Sequence, residues 1–304
     1  MCRRPSLAAR RLVASPECTT APRRRGRVDD RGEEAPKRRP RHARRGMTLV
    51  ELLIAVAILV GIAGTLAVLA QAVERGHEYC EGYGTATQHA RVALDRITAA
   101  VREATANEQF PGVLVLADQV GAHNFPDVLV VWRPTGLPAD PAGLPRYNEL
   151  VVFAPDWYRP NELVEIRAPN DTRTVPPVAD TAAWQQQIAA LRRSATVETV
   201  RLTSLLRTAV VADGAGDAVR GALRFTMRLR PSQAEWDQYR AGNLAWDALP
   251  WVQGIFSAKT GLRQSWVRIE LQIDPGDDWA ANETDAPQPI AFFGSAAVYY
   301  QLPR

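Results

Sequence analysis

Residues Leu52 to Ala70, LLIAVAILVGIAGTLAVLA, are 19 residues with no charge and no proline. As a helix they extend about 28 Å, at about 1.5 Å per residue, which matches the hydrocarbon thickness of a bilayer. Such a run reads as a membrane span, and the charges on its flanks orient it. Residues 1–46 hold 15 Lys and Arg against 5 Asp and Glu, leaving 22 against 28 for the rest. The net charge of +4 is therefore that of a basic leader on an acidic body. The bias of positive residues toward the cytoplasm keeps residues 1–46 inside and exports the body. Within the leader, RRRGRVDDRGEEAPKRRPRHARR reads as a disordered Arg-rich tail. A nucleic-acid partner would need a basic face on the folded part, and with a net −6 after Gly46 none is expected.

One carboxylate, Glu51, stands at the start of the apolar run. An ionised side chain there is costly and marks either a partner or a group that snorkels to the interface. A cleavable secretory signal would have a shorter apolar core with a small-residue cut site after it. Here the distinctive residues lie before the run, as RRG followed by MTLVELLIAVAIL. This stretch closely resembles the class III signal of type IV pilins and of their secretion-system relatives, the pseudopilins. The resemblance implies that a prepilin peptidase cuts after Gly46 and methylates the new N-terminus at Met47, leaving Glu51 as fifth residue of the mature chain. Thr48, Leu49 and Val50 fit the same pattern. Met47 departs from the Phe most frequent at its position, and a 46-residue leader is longer than usual.

Cleavage before Met47 creates an α-amine about 6 Å along the helix from Glu51. An amine with an ordinary pKa near 8 stays largely charged, and methylation keeps the charge. In a filament the family implies that this carboxylate meets the N-terminal amine of a neighbouring subunit. Two buried charges are costly when unpaired and set register when paired. The partners implied are the prepilin peptidase, other minor and major pilins or pseudopilins, and an inner-membrane assembly platform.

No proline occurs between Met47 and Pro111, and Ala90, Ala93, Ile97, Ala100 or Val101, and Ala104 recur at spacings of three and four. The helix is expected to continue, with these residues facing its own body and Arg91 and Asp95 pairing on the opposite side. Gly82 to Gly84, GYG, is the expected break. Gly61 and Gly64 inside the span are either ordinary membrane-helix glycines or points of local unwinding. After Phe110 seven short β-rich runs follow: GVLVLA, DVLVVWRP, ELVVFAPD, LVEIRAP, GALRFTMRLRP, SWVRIELQIDP and IAFFGSAAVYYQL. Helices are expected at 180–194 and 232–242. The fold class is α+β: a long N-terminal helix packed on an antiparallel sheet. The organisation expected is a leader over 1–46, a membrane and assembly helix over 47–73, an amphipathic continuation over 74–109 and an exported β-rich domain over 110–304. QHARVALDRITAAVREA and FFGSAAVYYQLP resemble, loosely, the larger minor members of the family, the J-type minor pseudopilin and the W-type minor pilin.

Catalytic groups are scarce. After Gly46 the chain keeps His77, His89, His123 and a single lysine, Lys259, so no phosphate-binding Gly-Lys pair exists. Cys2 and Cys18 lie in the leader, and Cys80 remains as a free small residue near the membrane, or else a site of intersubunit disulfide or lipidation. No cofactor is expected. The weak calcium candidates are Asp213 and Asp217 in ADGAGDAV and Asp274, Asp277 and Asp278 in IDPGDDW, which read first as polar turns. Trp236, Trp246 and Trp251 read as core before contact patch. The sequence thus points to a non-enzymatic minor pilin or pseudopilin that initiates or caps a filament assembled at the inner membrane. The alternatives are a pilus-tip adhesin or DNA-uptake subunit and, behind these, a membrane-anchored exported enzyme using carboxylate chemistry.

Overall fold

A computed structural model of the chain describes residues 47–212, 216–252, 260–275 and 289–302. Two compact units divide it, Met1–Gly61 and Ile62–Arg304. The described part of the first is the start of helix α1, which spans Leu49–Arg102. Its residues 47–61 are all exposed.

In the second unit α1 continues through Gly82 to Gly84 without interruption, correcting the expected break. A glycine costs a helix only about 1 kcal/mol, and the buried row Ala86, Ala90, Ala93, Ile97, Ala100 and Val101 that follows outweighs that cost. Gly82 has a packing role instead: a Cβ there would lie 2.6 Å from the Pro275 carbonyl oxygen. The helix ends at Arg102, short of residue 109. Beyond it the Asn107 Oδ1 accepts the N–H groups of Gln109 and Phe110, at 2.9 and 2.8 Å. Thr105 donates its N–H to the Trp132 carbonyl at 2.8 Å. A side chain that captures backbone donors in this way favours a turn over another helical turn. Gly112, at φ +83° and with Thr105 O at 3.0 Å from an added Cβ, takes the chain into the first strand through a conformation open to glycine.

Five antiparallel strands follow in chain order: β1 Val113–Val120, β2 His123–Trp132, β3 Leu150–Pro155, β4 Leu163–Arg167 and β5 Glu198–Thr203. Helix α2, Thr181–Arg193, is capped by the Asp180 carboxylate on the Ala183 N–H. A small hairpin pairs β6 Thr208–Ala212 with β7 Asp217–Gly221. The second sheet has the order β10-β9-β8, from β8 Leu223–Arg230, β9 Leu262–Ile273 and β10 Ile290–Gln301. Between β8 and β9 lies α3, Gln233–Arg240, opened by a Ser232/Glu235 capping box.

Alternation of side chains assigns the faces. Leu129 and Val131 of β2, Val151 and Phe153 of β3 and Leu163 of β4 join the α1 row, together with Phe225, Val267, Ile269 and Leu271 of the second sheet. The intervening residues Val128, Val130, Trp132, Val152, Val164 and Ile166 form the other core with Trp184, Ile188 and Leu191 of α2. The five-stranded sheet is thus covered on both faces, which is why its middle strands read as unbroken apolar runs. Trp236, Trp246 and Trp251 sit with Leu249, Tyr300 and Leu302 in a third cluster, core as expected. The structure is α+β, a long N-terminal helix with antiparallel sheets.

Candidate functional site

The first turn of α1 is closed by its own side chains. The Thr48 N–H donates to Glu51 Oε2 at 3.4 Å and the Glu51 N–H donates to Thr48 Oγ1 at 3.3 Å. This reciprocal pair is the capping-box arrangement, an N-cap hydroxyl and a carboxylate three residues on, satisfying two of the donors a helix start leaves open. Glu51 Oε1 has no hydrogen-bond partner among the described residues, and both Glu51 and Met47 are exposed. The carboxylate is therefore held at the helix N-terminus by one oxygen, and no described residue engages the other. Negative charge at this end also opposes the positive pole of the helix dipole. Gly46, Asp213, Asp277 and Asp278 lie outside the described residues.

From Leu49 to Val73 the large apolar side chains are all at least half exposed, Leu52 at 51 % and Leu49 at 75 % marking the extremes. No part of the most apolar 18-residue stretch is covered by the described residues. A soluble protein rarely exposes so long an apolar surface, so lipid or other helices must cover it. Cβ atoms added at Gly61 and Gly64 would meet nothing within 4 Å, so no packing among the described residues requires either glycine. Beyond the apolar stretch, Tyr79 and Tyr83 stack at 6.3 Å between centroids, amphipathic rings of the kind that collect at membrane interfaces. His77 and Glu81 pair at 3.2 Å across one turn. Cys80 is free and exposed.

The body grips α1 through ions as well as through the alanine row. Glu165 of β4 is buried, with a side chain 1 % exposed, and accepts Arg96 Nε at 2.6 Å and Nη2 at 3.1 Å. Arg167 Nε adds a third bond at 2.9 Å. Burial pushes the Glu165 carboxyl up, but the hydrogen bonds and charges of Arg96 and Arg167 outweigh it and hold the group below its ordinary range. Arg91 and Asp95, expected to pair, form no salt bridge among the described residues, and Arg96 carries the ionic contact of this helix with β4.

A second ionic cluster lies away from α1. Asp127 of β2, also buried, has Oδ2 at 3.8 Å from Arg220 Nη1 and leaves Oδ1 without a hydrogen-bond partner among the described residues. Arg220 of β7 binds Asp118 of β1 at 2.9 Å, and Arg192 of α2 donates Nη2 to the Pro155 carbonyl at 2.6 Å. Burial raises Asp127 to about 6, against the pull of Arg192 and Arg220. This cluster ties the β6–β7 hairpin to the five-stranded sheet.

The remaining candidates do not come together. His89 Nδ1 contacts Thr203 Oγ1 at 3.2 Å, and His123 lies exposed on β2 with its ring 6.3 Å from that of Phe125. Asp217 opens β7 in an exposed position, and the Asp274 N–H bonds to the Leu205 carbonyl at 2.7 Å. Among the described residues no group of three His, Cys, Asp or Glu is placed to hold a metal ion. The sequence pattern placed Thr48 in the cleavage signal without its capping role, and gave the Tyr79/Tyr83 pair no role. The threonine was legible from its T-x-x-E spacing, the tyrosines from their place after the span.

Residues 41–66 match the family model of the prokaryotic N-terminal methylation motif. No curated protein and no solved structure matches the chain. The motif supports the type IV pilin-like family and implies processing by a prepilin peptidase and assembly with other pilins. With the exposed apolar helix, it fits a membrane-anchored, single-pass protein.

Proposed function

We propose that this chain, which carries a prokaryotic methylation motif at the start of an uncovered apolar helix, is a non-enzymatic minor pilin or pseudopilin. Its prepilin is cut between Gly46 and Met47, Met47 is N-methylated, and the helix leaves the inner membrane for a filament that the protein helps to initiate or cap. The leader is cytoplasmic and the β-rich body lies outside the cytoplasmic membrane. The observation that carries the reading is the state of Glu51: anchored by Thr48 at the first helical turn, with Oε1 engaged by no described residue. A processed neighbour presents a methylated amine of opposite charge, and a desolvated pair of this kind fixes the stagger between helices. The same segment serves first as membrane anchor and then as filament core, which accounts for an apolar surface the body never covers.

Gly61 and Gly64 fit this double role. Each costs about 1 kcal/mol in helix stability, and neither is required by a neighbour among the described residues. The glycines instead suit close approach or local unwinding in an assembly. The size of the body, some 200 residues beyond α1, supports a low-copy subunit over a repeating one.

Co-expression with a prepilin peptidase tests the reading by intact mass. The account requires loss of 46 residues and a methylated Met47. A product that keeps the leader, or one cut after Ala70, overturns it.

A further inference from the structure

The outer face of the β10-β9-β8 sheet is organised differently from the rest of the acidic body. Alternation turns Leu223, Phe225, Val267, Ile269 and Leu271 inward and leaves Arg224, Thr226, Arg228 and Arg230 of β8 exposed. The ladder register aligns these with β9 and β10: Arg224 with Glu270 and Phe293, Thr226 with Arg268 and Ser295, Arg228 with Trp266 and Ala297, Arg230 with Gln264 and Tyr299. Arg207 extends the strip at one end, its Nη1 donating to Gln272 Oε1 at 3.1 Å. Next to Arg224 the face opens into a cavity of about 470 Å³, whose lining includes Arg207, Arg220 and Glu270.

Five arginines therefore share a face with one carboxylate, in a region that totals −6 after Gly46. Arg224, Arg228 and Arg230 form no salt bridge among the described residues, and Arg268 reaches Glu270 only at 3.7 Å. Among the described residues no carboxylate neutralises Arg224, Arg228 or Arg230. A run of like charges along one strand costs stability unless something outside neutralises it.

We propose that this sheet face docks an extended, acidic segment of another polypeptide, its carboxylates on Arg224, Arg228 and Arg230 and its apolar residues on Trp266. Arginine is the residue suited to this, because its planar fork binds a carboxylate through two parallel hydrogen bonds. Positions 228 and 230 lie about 6.8 Å apart on a strand, the spacing of alternate residues in an extended peptide. A single-stranded nucleic acid would also answer to arginines and aromatic rings, but the geometry disfavours it. Arg268 already covers the Phe293 ring at 5.3 Å, the Tyr299 hydroxyl is tied to Gln264 at 2.7 Å, and Glu270 sits in the path of a continuous phosphate chain. The inference is independent of the filament reading, because it uses only the body.

The test uses the full-length protein in detergent and fluorescence anisotropy with three probes. These are a 12-residue peptide alternating Glu and Val, the same peptide with Gln for Glu, and a 12-nucleotide oligothymidine. The Glu peptide should bind, weaken with salt, and lose at least tenfold in affinity in the Arg228→Glu/Arg230→Glu variant. Arg228→Lys/Arg230→Lys should lose affinity while keeping charge, since the fork is gone. Arg173→Glu, on the α2 side of the five-stranded sheet where Arg173 pairs with Asp171, should bind as the unaltered protein does, and a cooperative thermal unfolding transition in each variant shows that the fold persists. Absence of Glu-peptide binding, equal binding of the Gln peptide, equal affinity in the charge-reversed variant, or tighter binding of oligothymidine would each overturn the proposal.

Discussion

Replacing Arg96 by Met keeps most of the aliphatic stem and removes the guanidinium that holds Glu165. Glu165 then stays buried, its side chain 1 % exposed, with Arg167 as its one remaining cation. Breaking a fully buried pair costs about 3–5 kcal/mol. Arg96 is 47 % exposed and Arg167 persists, so screening and the surviving bond reduce the expected loss to about 2 kcal/mol. For a body of this size that lowers the unfolding temperature by about 4–8 °C. The pH dependence carries the diagnostic sign. In the unaltered protein the Glu165 carboxyl is held below its ordinary value, so its stabilisation is present above about pH 4.3 and lost as pH falls through the depressed value. In Arg96→Met burial prevails and the carboxyl rises, so its contribution is present at low pH and lost as pH rises. The deficit of the variant should therefore widen between pH 4.5 and 7. Thermal unfolding of the full-length protein in detergent, followed by tryptophan fluorescence, measures it. Adding Glu165→Gln to Arg96→Met removes the orphaned charge and should recover part of the loss at pH 7. A deficit that does not change with pH, or a double variant as unstable as the sum of the two single ones, would refute the reasoning.

Three further outcomes are expected. Asp127 is raised by burial to about 6, so its site is most stabilising below the ordinary Asp value and weakens as pH climbs through 6. Asp127→Asn should remove that slope and stabilise the protein at pH 7.5 by about 1–3 kcal/mol, read by urea unfolding at pH 5 and 7.5. Gly84→Ala, with nothing within 4 Å of its Cβ, should raise the unfolding temperature by about 2–4 °C, whereas Gly82→Ala, facing Pro275 O at 2.6 Å, should lower it or leave it unchanged. Replacing Gly46 by Leu should block peptidase cleavage while membrane fractionation still finds the protein inserted, because the apolar run is untouched.

The sequence was legible where the signal is local. All seven β-rich runs became strands, since alternating or continuous apolar residues have no other stable use in a two-sided sheet. Helices α2 and α3 began at the capping residues Asp180 and Ser232 that chain reading favours. The methylation motif was legible for the same reason, as its residues are contiguous. Strands β5, β6 and β7 were missed because ETVRLT, TAVVA and DAVRG are mostly exposed and lack a buried face. The GYG break failed because propensity is weak beside the packing of the alanine row. Arg96 with Glu165, and Asp118 with Arg220, are separated by 69 and 102 residues, and no spacing rule connects partners so distant. The basic sheet face was hidden by a net charge that averages over the whole body, since β8 shows its arginines on one side only once the alternation and register are known.

Glu51 offers the most direct test of the filament reading, provided its two possible roles are separated. Glu51→Ala removes both the acceptor for the Thr48 N–H and the charge, whereas Glu51→Gln retains an acceptor and removes the charge alone. The measurement is site-specific crosslinking of peptidase-processed protein to companion pilin-like subunits, with membrane fractionation as control. Both variants should be cut before Met47 and remain in the membrane, because insertion is unchanged or improved without the carboxylate. Both should lose most of the crosslink, by a deficit on the order of a few kcal/mol for a desolvated amine left unpaired. A Glu51→Gln protein that crosslinks as well as the unaltered one would show that Glu51 only caps its own helix, and would contradict its assignment as the assembly contact.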